Sequence, residues 1–185
     1  PLTAKPNNVP RFYGDCAVIA YRTPSDELIS LIPANVSSTT GKVDAKPLFD
    51  KDLTTVLTVP ASGQPKKAWI QFDFGSKVTA RAITIAGRRG VPYGRVMASN
   101  DGTNFRTLTN IPGKSGYRGG NIRTYDFPET NSRYFRIEMT NAAPRPADVI
   151  SQNTTLADSI YQLTEVQLHA AGKVNRWEDK AGFNL

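Results

Sequence analysis

Arg133-Tyr134-Phe135-Arg136-Ile137-Glu138-Met139 sets Phe135, Ile137 and Met139 at every second position, with Arg136 and Glu138 between them. Strand side chains point alternately to opposite faces, so this stretch reads as a β-strand with one buried and one wetted side. Working outward, Trp69-Ile70-Gln71-Phe72-Asp73-Phe74 puts Ile70, Phe72 and Phe74 on one face and stops at Gly75. Within Val78–Ala86, Ile83 and Ile85 alternate around Thr84; near the end, Val166 and Leu168 alternate with Glu165, Gln167 and His169. Ala17–Tyr21, Gly94–Ala98, Phe105–Leu108 and Ile122–Phe127 bring the set to about eight strands, the pattern of an antiparallel all-β sandwich.

Thirteen prolines and fourteen glycines fall mostly between these runs and supply turns. Asn100-Asp101-Gly102 predicts a hairpin, because Asn and Gly tolerate the positive φ of a tight turn. Helical signal is confined to two places. Pro24–Ile32 fits a short helix, and Asn175-Arg176-Trp177-Glu178 reads as an N-cap with an acid three residues on, closed by Gly182.

The chain has 185 residues, about the size of one domain. Hydrophobic residues make up 39% and no run approaches the roughly 18 apolar residues of a membrane span, so no membrane partner is expected. Pro1–Pro10 lacks an initiator Met and a signal-peptide pattern, as expected of a piece cut from something longer. With Cys16 as the one cysteine no intramolecular disulfide can form, and its place in Cys16-Ala17-Val18-Ile19-Ala20 reads as a buried small hydrophobe. The net charge of +7 raises the question of nucleic acid. The only adjacent basic pairs are Lys66-Lys67 and Arg88-Arg89, and no basic stripe interleaved with aromatics appears. Nucleic acid is therefore not expected.

From about Lys46 to Ala170 the chain resembles the discoidin or coagulation-factor type C family, whose superfamily includes the galactose-binding-like, family 32 carbohydrate-binding modules. Five segments carry the resemblance, in the family's order: Leu48–Thr55, Trp69–Gly75, Ala98–Phe105, Tyr134–Ile137 and Leu163–Val166. The resemblance implies a jelly-roll β-sandwich. The ends, Arg11-Phe12-Tyr13-Gly14-Asp15 and Val174 through Phe183, resemble segments of the α-L-rhamnosidases of glycoside hydrolase family 106. In that family a β-sandwich is inserted into a catalytic barrel. This implies a linker at residues 1–15, the sandwich at 16–171, and a helical tail at 172–185 leading to a following domain. It also implies the barrel of the same polypeptide as partner, and a periplasmic or extracellular bacterial setting. A monomer is expected of the fragment.

Catalysis is not expected here. Glycoside hydrolysis generally needs two carboxylates across a sugar, and no pair among the 16 acidic residues stands out. His169, the only histidine, reads as a surface residue at a strand end, and one Cys with one His excludes a zinc site. Calcium is the metal the resemblance implies. Asp50, Asp52, Thr54, Thr55 and Glu165 match positions at which type C and family 32 modules hold a structural calcium ion. Lys51 departs from the family's Gly, which counts against calcium; the alternative is a turn in which Asp50 and Asp52 cap backbone amides.

In an antiparallel stack successive connections alternate between ends. Gly75–Lys77, Asn100–Thr103 and Pro128–Ser132 then share one end, while Gly87–Pro92, Asn110–Gly120 and Asn141–Ser159 share the other. The second end gathers Arg88, Arg89, Tyr93, Tyr117, Arg118, Asn121 and Arg145 as candidate carbohydrate contacts. Arginine forks and tyrosine rings suit vicinal hydroxyls or acidic sugars. The family resemblance points the same way, since Arg88 and Arg89 fall where family 32 modules carry a ligand-loop arginine. The competing reading is that this end docks on the rest of the enzyme or faces solvent. Three roles remain: a scaffold inserted in a rhamnosidase-like hydrolase, an autonomous module targeting a plant-type polysaccharide, or a discoidin-type adhesion domain.

Overall fold

The computed structural model describes residues 22, 25–63, 66–112, 121–140 and 160–180. The expected strand Ala17–Tyr21, Cys16, and the segments 113–120 and 141–159 lie outside the described residues. Within them, nine strands run in chain order: β1 (Ser30–Leu31), β2 (Asn35–Ser38), β3 (Gly41–Lys42), β4 (Leu57–Pro60), β5 (Lys67–Gly87), β6 (Tyr93–Ser99), β7 (Arg106–Pro112), β8 (Ile122–Thr140) and β9 (Ile160–His169). No helix among these residues is long and apolar enough to cross a membrane.

Two long strands build the sandwich. β5 and β8 pair antiparallel from Lys67↔Thr140 to Ala86↔Ile122, with register breaks between Asp73 and Val78 and between Ala80 and Ala82. The ribbon folds over at these breaks, so each half joins a different layer. The first layer runs β3-β2-β5-β8-β6-β7, using Ala68–Asp73 of β5 and Tyr134–Met139 of β8. The second places β9 beside Ala82–Gly87 of β5, which in turn pairs with the first half of β8; β1 and β4 flank the far side of β9. Ile70, Phe72, Phe135 and Ile137 of one layer meet Ile83, Ile85, Tyr125 and Val166 of the other in one buried cluster.

The sequence reading divided each long strand in two. Trp69–Phe74 and Val78–Ala86 are one strand, as are Ile122–Phe127 and Arg133–Met139. Gly75 does not end the strand; it lets the strand turn. Its φ is 74°, its amide donates to Asp73 Oδ1 at 2.8 Å, and Arg133 clamps both oxygens of Asp73 at 2.7 and 2.9 Å. The Arg133 guanidinium holds the Asp73 carboxyl below its ordinary range. Ladder pairing resumes beyond the bend, which satisfies the backbone better than a free loop would.

Three further expectations change. Pro24–Ile32 is not a helix: a single 3₁₀ turn, Ser25–Leu28, buries nothing, and the chain then extends into β1 against β9. The turn at Asn100-Asp101-Gly102 does join β6 to β7, but only Gly102 adopts positive φ (76°). Its shape comes from Asp101, whose Oδ1 accepts the Thr103 and Asn104 amides at 2.9 and 2.8 Å and whose Oδ2 accepts Asn104 Nδ2 at 2.7 Å. These donors hold the Asp101 carboxyl far below its ordinary range. At the carboxyl end a helix is present, α1 (Trp177–Lys180), and it packs on β8, while Gly182 lies outside the described residues.

Candidate functional site

The Gly87–Pro92 connection is a pinned turn. The Gly87 amide donates to the Asn121 carbonyl at 2.8 Å, the Arg88 amide to the Gln162 carbonyl at 3.1 Å, and the Gly90 amide to the Gly87 carbonyl at 3.0 Å. Gly87 is required by crowding, since a Cβ there would stand 2.6 Å from the Gly90 carbonyl oxygen. Val91 is buried beneath the turn. With backbone and Val91 fixed, Arg88 and Arg89 are left exposed at the tip, and neither forms an ion pair among the described residues.

Tyr93 opens β6 opposite Pro112 and is 42% exposed. Asn121 presents its side chain to solvent while its carbonyl holds Gly87. The strand ends therefore bring Arg88, Arg89, Tyr93 and Asn121 to one end of the sandwich, where the alternation of connections places them. The same pairing puts Asp73, Ser132 and Ser99 at the opposite end. Tyr117, Arg118 and Arg145 lie outside the described residues. What this end offers chemically is two guanidinium forks without an ion pair among the described residues, a phenol ring and an amide on a hydrogen-bonded backbone. The guanidinium forks donate paired N–H bonds to vicinal hydroxyls or carboxylates.

The Asp50–Thr55 segment forms a turn beside β9. Asp50 Oδ1 accepts the Asp52 amide at 2.9 Å and its Oδ2 the Thr55 hydroxyl at 2.8 Å. Asp52 Oδ1 accepts the amide and the hydroxyl of Thr54 at 2.8 and 2.7 Å, which keeps its carboxyl below the ordinary range. Glu165 Oε2 accepts the Lys51 amide at 3.1 Å; partial burial raises the Glu165 carboxyl, and the charge of Asp50 raises it further. Lys51 has φ 62°, so the non-glycine residue occupies a left-handed position. The five residues named for calcium are thus gathered, but each carboxylate already accepts an amide or hydroxyl. Among the described residues no group of three or more His, Cys, Asp or Glu is arranged to hold a metal ion. This donor set fits a self-capped turn better than a cation cage.

A second polar cluster was not legible in the sequence. On the outer face of the second layer His169 Nε2 meets Thr84 Oγ1 at 2.8 Å, and Thr84 Oγ1 meets Thr124 Oγ1 at 2.9 Å. The Thr124 hydroxyl donates to Glu178 Oε1 at 2.7 Å. His169 is therefore a half-buried member of a network, where the sequence suggested a surface histidine. Burial and the nearby Lys173 charge pull its pKa down to about 4. The only sequence signal was a threonine at the outward position of each of two neighbouring strands.

The type C family model matches residues 33–151, well over half of the chain. The chain belongs to the F5/8 type C domain family. No curated protein matches the type C domain described here. Among solved structures it is similar to the CBM32 of AlyQ in complex with 4,5-unsaturated mannuronic acid, at 21% identity and TM-score 0.56 over 77% of this chain and 99% of that one. Chitosan-binding module 1 from the chitosanase/glucanase of Paenibacillus sp. IK-5 aligns at 19% identity and TM-score 0.55, over 76% of this chain and 98% of that one. The rhamnosidase from Novosphingobium sp. PP1Y aligns at 20% identity and TM-score 0.56, over 83% of this chain and 13% of that one. At these identities the likeness is one of fold, and it agrees with the galactose-binding-like β-sandwich.

Proposed function

We propose that this type C domain is a non-catalytic part of a carbohydrate-active enzyme resembling an α-L-rhamnosidase. It supports the catalytic barrel of the same polypeptide and contacts carbohydrate at its Gly87–Tyr93 end. The observation that carries the contact is the pinned turn holding Arg88 and Arg89 outward beside Tyr93. A rigid display limits the ordering cost that a sugar ligand must offset.

Support for the scaffold role comes from the chain's path. Lys173 Nζ and Glu27 Oε1 pair at 2.9 Å, and β1 lies beside the last residues of β9. Among the described residues the first and last segments of the chain thus lie side by side, as domain insertion requires of the two ends. The rhamnosidase neighbour, of which this fold is a small fraction, supports the parent class. The setting would be periplasmic or extracellular.

A second reading, an autonomous carbohydrate-binding module, is favoured by a different observation. The AlyQ and chitosan-binding modules are aligned over nearly their whole lengths, so this sandwich also occurs as a complete unit.

Titration calorimetry against rhamnose, galactose and pectic oligosaccharides tests the contact. It requires moderate salt, because a net charge of +7 attracts polyanions without specificity. Saturable heat that is lost in an Arg88→Ala, Arg89→Ala, Tyr93→Ala variant supports carbohydrate contact at this end. A flat trace from folded protein removes it. Deleting the sandwich from the parent enzyme then separates the two roles: a fall in the melting temperature of the barrel marks a scaffold, whereas loss of polysaccharide retention alone marks a targeting module.

A further inference from the structure

On the outer face of the second layer, the carboxyl-terminal tail borders an open cleft of about 470 Å³. Thr84, Ile122, His169, Lys173, Val174 and Trp177 line it. The volume falls in the range of small-ligand pockets, roughly 300–1,000 Å³. Its apolar side is unusually open for such residues: Val174 is 59% and Trp177 42% exposed. The Trp177 ring is nonetheless held in place, because its indole N–H donates to Thr124 Oγ1 at 3.2 Å.

Proton accounting fixes the polar side. The Thr124 hydroxyl has one hydrogen, which it gives to Glu178 Oε1. In its contact with Thr84 it must therefore accept, so the Thr84 hydroxyl is the donor. Thr84 has then used its own hydrogen and must accept from His169, which places the imidazole proton on Nε2. Nδ1 is left as a lone-pair acceptor with no partner among the described residues. No described side-chain polar atom is both buried and unpaired, so Nδ1 keeps contact with solvent.

We propose that this cleft is a second saccharide site, which takes a neutral pyranose residue. The C–H face of the sugar lies against Trp177 and Val174, and one of its hydroxyls donates to His169 Nδ1. Aromatic rings with one wet side suit such a face, and a neutral imidazole supplies the acceptor. Neutral sugar is favoured over uronate because the cationic group in the cleft, Lys173, is already paired with Glu27, whereas the carboxylate of Glu178 lines the same cleft. The inference is independent of carbohydrate contact at the Gly87–Tyr93 end.

The test is a two-dimensional ¹H–¹⁵N titration of the 185-residue chain with methyl α-L-rhamnopyranoside and methyl β-D-galactopyranoside, read at the two tryptophan indoles. Trp177→Phe assigns the peaks. The Trp177 indole is expected to shift saturably while Trp69 stays, and the shift should survive Arg88→Ala with Arg89→Ala. His169→Phe is expected to weaken binding about tenfold, the loss of one good hydrogen bond. Val174→Asp, at an exposed position, should weaken it as well and serves if His169→Phe does not fold. Absence of saturable movement overturns the proposal. So does a shift that vanishes with the two arginines, or undiminished binding in both Val174→Asp and His169→Phe.

Discussion

The carboxylate of Glu178 accepts the backbone amide of Thr124 at 3.1 Å and the Thr124 hydroxyl at 2.7 Å. From the other direction the Arg176 amide donates to the Thr124 carbonyl at 2.7 Å. Thr124 sits on the first half of β8, at the edge of the second layer, where no further strand pairs among the described residues. Its outward N–H and C=O would otherwise be an unpaired strand edge, a site prone to intermolecular pairing. Residues 176–178 close that edge, and the ion pair of buried Arg123 with partly buried Asp179 at 2.7 Å secures the same join.

Glu178→Ala is therefore expected to lower stability by about 2 kcal/mol, the scale of hydrogen bonds to a charged group lost from a buried site. Glu178→Gln, which keeps one acceptor oxygen, should recover about half of that. Urea unfolding measures both. If Glu178→Ala unfolds at the wild-type midpoint, the tail does not hold the edge.

Arg136 joins two aromatic side chains on the outer face of the first layer. Its guanidinium lies 4.5 Å from the Trp69 ring centroid and 3.8 Å from that of Phe105, while Gln71 Oε1 accepts its Nε at 3.2 Å. Arg136→Ala should cost about 1–2 kcal/mol through both ring contacts. Arg136→Lys should recover little, because an ammonium cannot stack as a plane between two rings. Equal stability of the Lys variant and wild type would mean that charge alone matters.

His169 makes stability depend on pH. Its ordinary pKa of 6.5 is lowered to about 4 in the folded protein, so the unfolded chain binds more protons between these values. The stabilisation is present above about pH 6.5 and is lost as pH falls toward 4. Glu165, whose carboxyl is raised, contributes with the opposite sign, so the comparison must be with a variant. Melting curves of wild type and His169→Phe should converge as pH drops through this window. Parallel curves would contradict a half-buried neutral imidazole.

Calcium tests the Asp50–Thr55 turn. A site filled at a hundredfold excess over its dissociation constant would add about 2.7 kcal/mol and raise the melting temperature by roughly 5–10 °C. Because Asp50, Asp52 and Glu165 already accept protein donors, the expected change at millimolar calcium is under about 1 °C. A saturable rise of several degrees would assign these residues as a calcium site despite Lys51.

The sequence alone determined most strand segments and the face that each one buries. Alternation fixes which face of a strand is buried, so Ile70, Phe72, Phe135, Ile137, Ile83 and Ile85 were legible as core, and the ordered segments named the family. The ends at which Arg88, Arg89, Tyr93 and Asn121 gather followed from the alternation of connections. The tertiary structure alone decided that Gly75 bends a strand where it seemed to end one, since the Arg133 that clamps Asp73 lies 60 residues on. It alone joined Glu178 to Thr124 and His169 to Thr84, at separations of 54 and 85 residues. Local periodicity reports the environment a side chain needs; partners distant in sequence are chosen by the way the layers and tail pack.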